Sequence, residues 1–96
     1  MHSDYDKEAN AIAITLVDSA IADRADQRHK RAIVALRDGE PVSLELLYPN
    51  LGIDEPLRAV AERYELDLET LTAAATAALA APDRAVTVEV AARSTI

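Results

Sequence analysis

Arg31-Ala32-Ile33-Val34-Ala35-Leu36-Arg37 leads into Asp38-Gly39, and Glu40-Pro41-Val42-Ser43-Leu44-Glu45-Leu46 leads away from it. Two strand-like runs joined by Asp-Gly constrain a chain more than any other short pattern. A type I′ turn needs positive φ at both central residues, which Asp tolerates and Gly adopts freely. The pattern predicts an antiparallel hairpin in a chain whose Ala-rich composition alone would suggest helix. Its second run places Val42, Leu44 and Leu46 on one face. Pro41 at the start of that run points to an edge strand, or to a position whose N–H is not needed.

The period-two pattern continues upstream. Between Ala9 and Val17, Ile12, Ile14 and Leu16 alternate with Ala11, Ala13, Thr15 and Val17, which predicts a strand with its larger side chains toward the core. Asp4-Tyr5-Asp6 reads as a short strand folding back through Lys7-Glu8-Ala9-Asn10, with Asn10 suited to a left-handed position. Residues 18–27 are polar, with Ile21 as their one sizeable apolar anchor, and read as a connector or short strand.

Pro49-Asn50-Leu51-Gly52 closes the sheet region, and the period then changes. Leu57, Val60, Ala61 and Tyr64 fall at i, i+3, i+4 and i+7, the stripe of an amphipathic helix that Asp54 or Glu55 can cap, with Pro56 in its first turn. A second helix is expected from Asp67 as N-cap, with Leu68, Leu71, Ala75 and Leu79 as a narrow stripe. Its Ala-rich surface from Ala73 to Ala81 permits close approach of a neighbour, and Pro82-Asp83 stops it. Val86, Val88 and Val90 then alternate with Thr87 and Glu89. The expected fold is α+β: an antiparallel β-meander over 4–50, a helical hairpin over 54–81, and a terminal strand at 85–92 that rejoins the sheet. All of it forms one domain, 1–96.

Composition narrows the function classes. The 96 residues include no Phe, Trp or Cys, and the only aromatics are Tyr5, Tyr48 and Tyr64. An aliphatic core with so much Ala buries little apolar area per side chain, which makes self-association attractive as extra burial. A homo-oligomer is therefore expected. The net charge of −7 argues against nucleic acid and against anionic membrane, because both reward Lys and Arg. One basic island, Arg28-His29-Lys30-Arg31, interrupts the acidic background; it reads as a solvated or ion-paired surface first and as a docking point for an acidic partner second. Without cysteine there is no disulfide, thiolate metal site or Cys nucleophile. No apolar run is long enough to span a bilayer, and Met1 leads straight into His2-Ser3-Asp4 with no signal-peptide pattern, so a cytoplasmic protein is expected. Richness in Ala, Arg and Asp is what a high-GC bacterial genome encourages.

Three constellations invite a chemical reading. Asp4-x-Asp6-x-Glu8-x-Asn10 places oxygen ligands at alternate positions, as a calcium loop does. The glycine of such a loop would fall at Ala9 and its bidentate Glu at Thr15, so a turn with self-satisfied carboxylates is the better reading. Leu57 to Leu71 has the rhythm of a helix-turn-helix, with Ala61 at the small contact position. Glu65 replaces the turn glycine, however, and Asp67, Glu69, Thr72 and Ala73 open the would-be recognition helix, a poor set for phosphate or guanine. His2 and His29 have no metal-ligand spacing, the serines have no nucleophile-elbow context, and two glycines make no phosphate loop. No catalytic residue, metal or cofactor is expected.

Tyr5-Asp6-Lys7-Glu8-Ala9-Asn10-Ala11-Ile12-Ala13-Ile14-Thr15-Leu16 and Gly39-Glu40-Pro41-Val42-Ser43-Leu44-Glu45-Leu46-Leu47 together resemble a small prokaryotic family catalogued as domain of unknown function 2283. The resemblance covers about residues 4–50. It departs at Ala13, where an aromatic is common, and at Ser43, where Gly is common. It implies a small β-rich unit and no reaction; residues 51–96 resemble no family. In this family pattern Tyr5, Asp6, Glu8 and Asn10 read as turn and sheet structure before they read as a ligand site.

The combined expectation is a non-enzymatic protein acting through protein–protein contacts, with itself or with another protein of a larger bacterial or phage-encoded assembly. Candidate contacts are Arg28, Lys30 and Arg31 in the basic island, Ala74 and Ala78 on the second helix, and Val88 in the last strand. The alternative is a transcriptional or antitoxin-like regulator using residues 57–80.

Overall fold

The computed structural model describes residues 1–88. Five strands come first: β1 (His2–Asp6), β2 (Ala11–Thr15), β3 (Arg24–His29), β4 (Ala32–Arg37) and β5 (Glu40–Leu47). A 3₁₀ turn at Pro49–Leu51 leads to helices α1 (Asp54–Tyr64) and α2 (Leu68–Ala80), and β6 (Ala85–Thr87) follows. The strands make one antiparallel sheet in the order β3-β4-β5-β2-β1-β6, with both helices against one of its faces. The expected α+β fold is observed, and the last strand does rejoin the sheet, beside β1. Val90 and the rest of the 85–92 expectation beyond Val88 lie outside the described residues.

The Asp-Gly hairpin forms as its residues dictate, with Asp38 at φ 52° and Gly39 at φ 81° between β4 and β5. Asn10 closes the β1–β2 turn at φ 53°. Here Asp6 Oδ1 accepts from the N–H groups of Glu8 and Ala9, both at 3.1 Å, which satisfies the turn from within. Pro41 does not mark an edge: β5 lies between β4 and β2. The ladder shifts register between Ala35 and Leu36, and that irregularity accommodates the missing N–H.

Alternation decides which face is buried. Ile12 and Ile14 of β2, Val34 and Leu36 of β4, and Leu44 and Leu46 of β5 point one way and are buried. The helices close over them with Leu57, Val60 and Ala61 from α1 and Leu71, Ala74, Ala75 and Ala78 from α2. Each fully buried Leu, Ile or Val contributes about 1.5–3 kcal/mol, so the aliphatic sheet face carries most of the stability and the alanines carry proximity. Ser3, 1% exposed, reaches across that gap and its Oγ donates to the Ala74 carbonyl at 2.8 Å.

Two local expectations are corrected. Neither Asp54 nor Glu55 caps α1; Ile53 occupies the N-cap without a side-chain bond, and Asp54 instead pairs with Arg58 one turn on, at 2.9 Å. Ile21 anchors nothing, being 78% exposed. Of the connector or short strand expected over 18–27, the strand is what forms: β3 (Arg24–His29) is an edge strand, whose Asp26 accepts a hydrogen bond from the Tyr64 hydroxyl of α1. The N-cap of α2 is as expected: Asp67 accepts from the Thr70 N–H and hydroxyl.

Candidate functional site

One face of the sheet carries both helices; the other carries none of the described elements. The strand registers assemble its side chains into rows. One row reads Gln27, Ile33, Glu45, Ala13, Asp4 and Ala85 from β3 across to β6. The next reads Ala25, Ala35, Ser43, Thr15, His2 and Thr87. Leu47, Ala11 and Asp6 form part of a third. The same alternation that gives the core its Ile and Leu leaves this face small: Ala11, Ala13, Ala25, Ala35, Thr15 and Ser43. A shallow depression of about 300 Å³ lies over Ala13, Thr15, Ile33, Ala35 and Ser43, with Glu45 at its rim.

The electrostatics of this face are one-sided. Its two central rows contain no Lys or Arg, and the Glu45 and Asp4 carboxylates have neither ion pair nor hydrogen bond among the described residues. They stand on either side of Ala13, two strand spacings or roughly 10 Å apart. His2, at the end of the face, is within 3.1 Å of Asp18.

The expected contact residues lie elsewhere. Ala74 and Ala78 are fully buried beneath α2, where their size lets the helix sit close to the chain's own sheet, so neither is available to a partner. Val88 is half-buried against the same core, its N–H bonded to the Met1 carbonyl at 2.9 Å. Arg31 is an internal brace: its Nη1 donates to the carbonyls of Tyr48, at 3.1 Å, and Gly52, at 2.7 Å. Those bonds hold a turn in which Tyr48 takes a left-handed backbone, φ 50°, directly before Pro49. Arg28 lies 3.7 Å from Asp26. Only Lys30 of the island points out with no partner among the described residues. His29 Nδ1 accepts from the Arg31 N–H at 3.1 Å while its Nε2 faces Glu55 at 3.3 Å. Hydrogen bonds from His29 and Arg31 tie the β3–β4 turn to the segment that leads into α1.

The acidic turn is likewise engaged in structure. Asp6 serves backbone N–H groups, the Tyr5 hydroxyl donates to Asn10 Oδ1 at 3.0 Å, and Asp83 accepts from the Lys7 N–H at 3.1 Å. No group of three or more His, Asp or Glu among the described residues is placed to hold a metal. An open depression of about 350 Å³ beside this turn, between β1 and the α2–β6 connection, is lined by Asp4, Asp6, Asp83 and Arg84, and its Asp6 and Asp83 carboxylates accept backbone N–H groups. In the helical pair, α2 contains no Lys or Arg and turns Leu71, Ala74, Ala75 and Ala78 onto the sheet.

Comparison of the chain with family models, with curated proteins and with solved structures gives no match in any of the three. The open sheet face could not have been assembled from sequence, because its rows depend on β5 pairing with β2 rather than on anything local. The signal that was present is the small side of the β2 alternation, Ala11-x-Ala13-x-Thr15.

Proposed function

We propose that this protein is a non-enzymatic interaction module whose contact surface is the helix-free face of its sheet. The observation that carries the reading is the layer count. A sheet is stabilised by covering both faces, or by making the bare face strongly polar. Here the middle of the bare face is instead lined with Ala, Ser, Thr and Ile, with Glu45 and Asp4 standing on it and Gln27 and His2 toward its margins. Small side chains keep it shallow and let another backbone come close. Among the described residues no constellation of acid, base and nucleophile competes with this reading.

The thin core makes self-association attractive as extra burial. Two copies laid face to face through this surface would bring Glu45 and Asp4 of each against like charge, so the face itself favours a different partner. Self-pairing would fall to the sheet edges, β3 and β6.

Arginine at both Ala13 and Ala35 would block the surface; arginine at exposed Ala73 on α2 is the control. The tagged chain, isolated under native conditions from the cells that make it, is expected to bring down a stoichiometric protein. That protein should be lost with the open-face arginines and kept with Ala73→Arg. Retention in both variants would overturn the assignment of the surface.

A further inference from the structure

The open face has a chemistry of its own that says more about what covers it. We propose that it docks a basic amphipathic helix of a partner protein, a step that rests on this face being the contact surface. Ala13 forms the floor, and the carboxylates of Glu45 and Asp4, which have no side-chain partner among the described residues, stand on the two flanks, roughly 10 Å apart. An α-helix is about 10 Å across, so a helix with a small or apolar stripe on Ala13 sends lysines or arginines from its two shoulders to those carboxylates. The opposite side of the same sheet already packs a helix in this manner, through the alanine stripe of α2 over β1 and β2. β2 runs five residues, about 17 Å, which is matched by about 11 helical residues or three turns.

Other occupants fit less well. Nucleic acid would set phosphate against Glu45 and Asp4. A second copy would set carboxylate against carboxylate. A bound divalent ion would need more oxygen ligands than the described residues of the face bring together.

The probe is a synthetic Lys/Ala/Leu helix of about 15 residues, with lysines on both sides of an Ala/Leu stripe. The control peptide has Glu in place of every Lys. Binding is followed by backbone amide NMR shifts of the intact protein. The expected result is a saturable response centred on Asp4, Ala13 and Glu45, weakened about fivefold in Glu45→Gln and in Asp4→Asn. The affinity should fall as salt is raised, and the Glu peptide should give no response. Both substitutions are at exposed positions, so the fold is retained. The proposal is overturned by no saturable response, by shifts centred on α1 or α2, or by an affinity in both variants equal to that of the parent. If the open-face arginines still abolish the native complex while the Lys peptide fails, the basic helix is wrong and the contact surface stands. If neither shows an effect, both are wrong.

Discussion

At the scale of single residues, the basic island shows how a surface feature of the sequence becomes internal structure. Arg31 follows His29 across the β3–β4 turn and ends in two backbone carbonyls, where its charge steadies a left-handed tyrosine before a proline. Arg31→Ala is expected to cost about 1–2 kcal/mol in urea unfolding, because both carbonyls lose a charged donor. A change under a few tenths would show that the brace is ornamental. Tyr64 makes a second prediction. Desolvation first, then its hydrogen bond to Asp26 and that carboxylate's charge, raise its phenol above the ordinary tyrosine value. Folding thus favours the protonated phenol. Its contribution is complete below about pH 10, the ordinary value, and is lost as pH rises through the folded value. Stability followed from about pH 8 to pH 11 should therefore fall less steeply in Tyr64→Phe than in the parent; identical slopes would contradict the assignment. Neither contact was legible in sequence. Asp26 and Tyr64 are 38 residues apart, and a polar strand such as Arg24-Ala25-Asp26-Gln27-Arg28-His29 shows no apolar alternation because its core-side residue is a hydrogen-bonded carboxylate.

Among the elements, those written in local chemistry were readable. Asp38-Gly39 had to turn, Asp67 had to cap, and the Ile12-Ile14 alternation had to face a core. The helix α2 was readable as close-packing but not in its choice of neighbour. Its Ala74 and Ala78 lie against the chain's own sheet, whose order depends on non-local pairing of β5 with β2. That placement predicts the result of overfilling it. Ala78→Leu should lower stability by about 1–3 kcal/mol, read as a reduced urea midpoint with unchanged slope, because the added carbons have no space beneath the helix. A neutral effect would mean that α2 stands off the sheet and that its alanines are free for another partner.

For the whole molecule, the two faces of one sheet divide the work. The face bearing Ile, Leu and Val is closed by two helices and holds the fold. The opposite face is small, shallow and acidic, and nothing among the described residues covers it. The net charge of −7 fits that division, since a partner drawn by charge must bring its own cations. Photo-crosslinking inside the cells that make the protein tests this directly. A photoreactive residue at Ala35, on the open face, is compared with one at exposed Glu62 on α1. Adducts to a different protein from position 35 and none from position 62 are predicted. Adducts from position 62 alone, an adduct of twice the chain's own mass from position 35, or none from either would contradict the account.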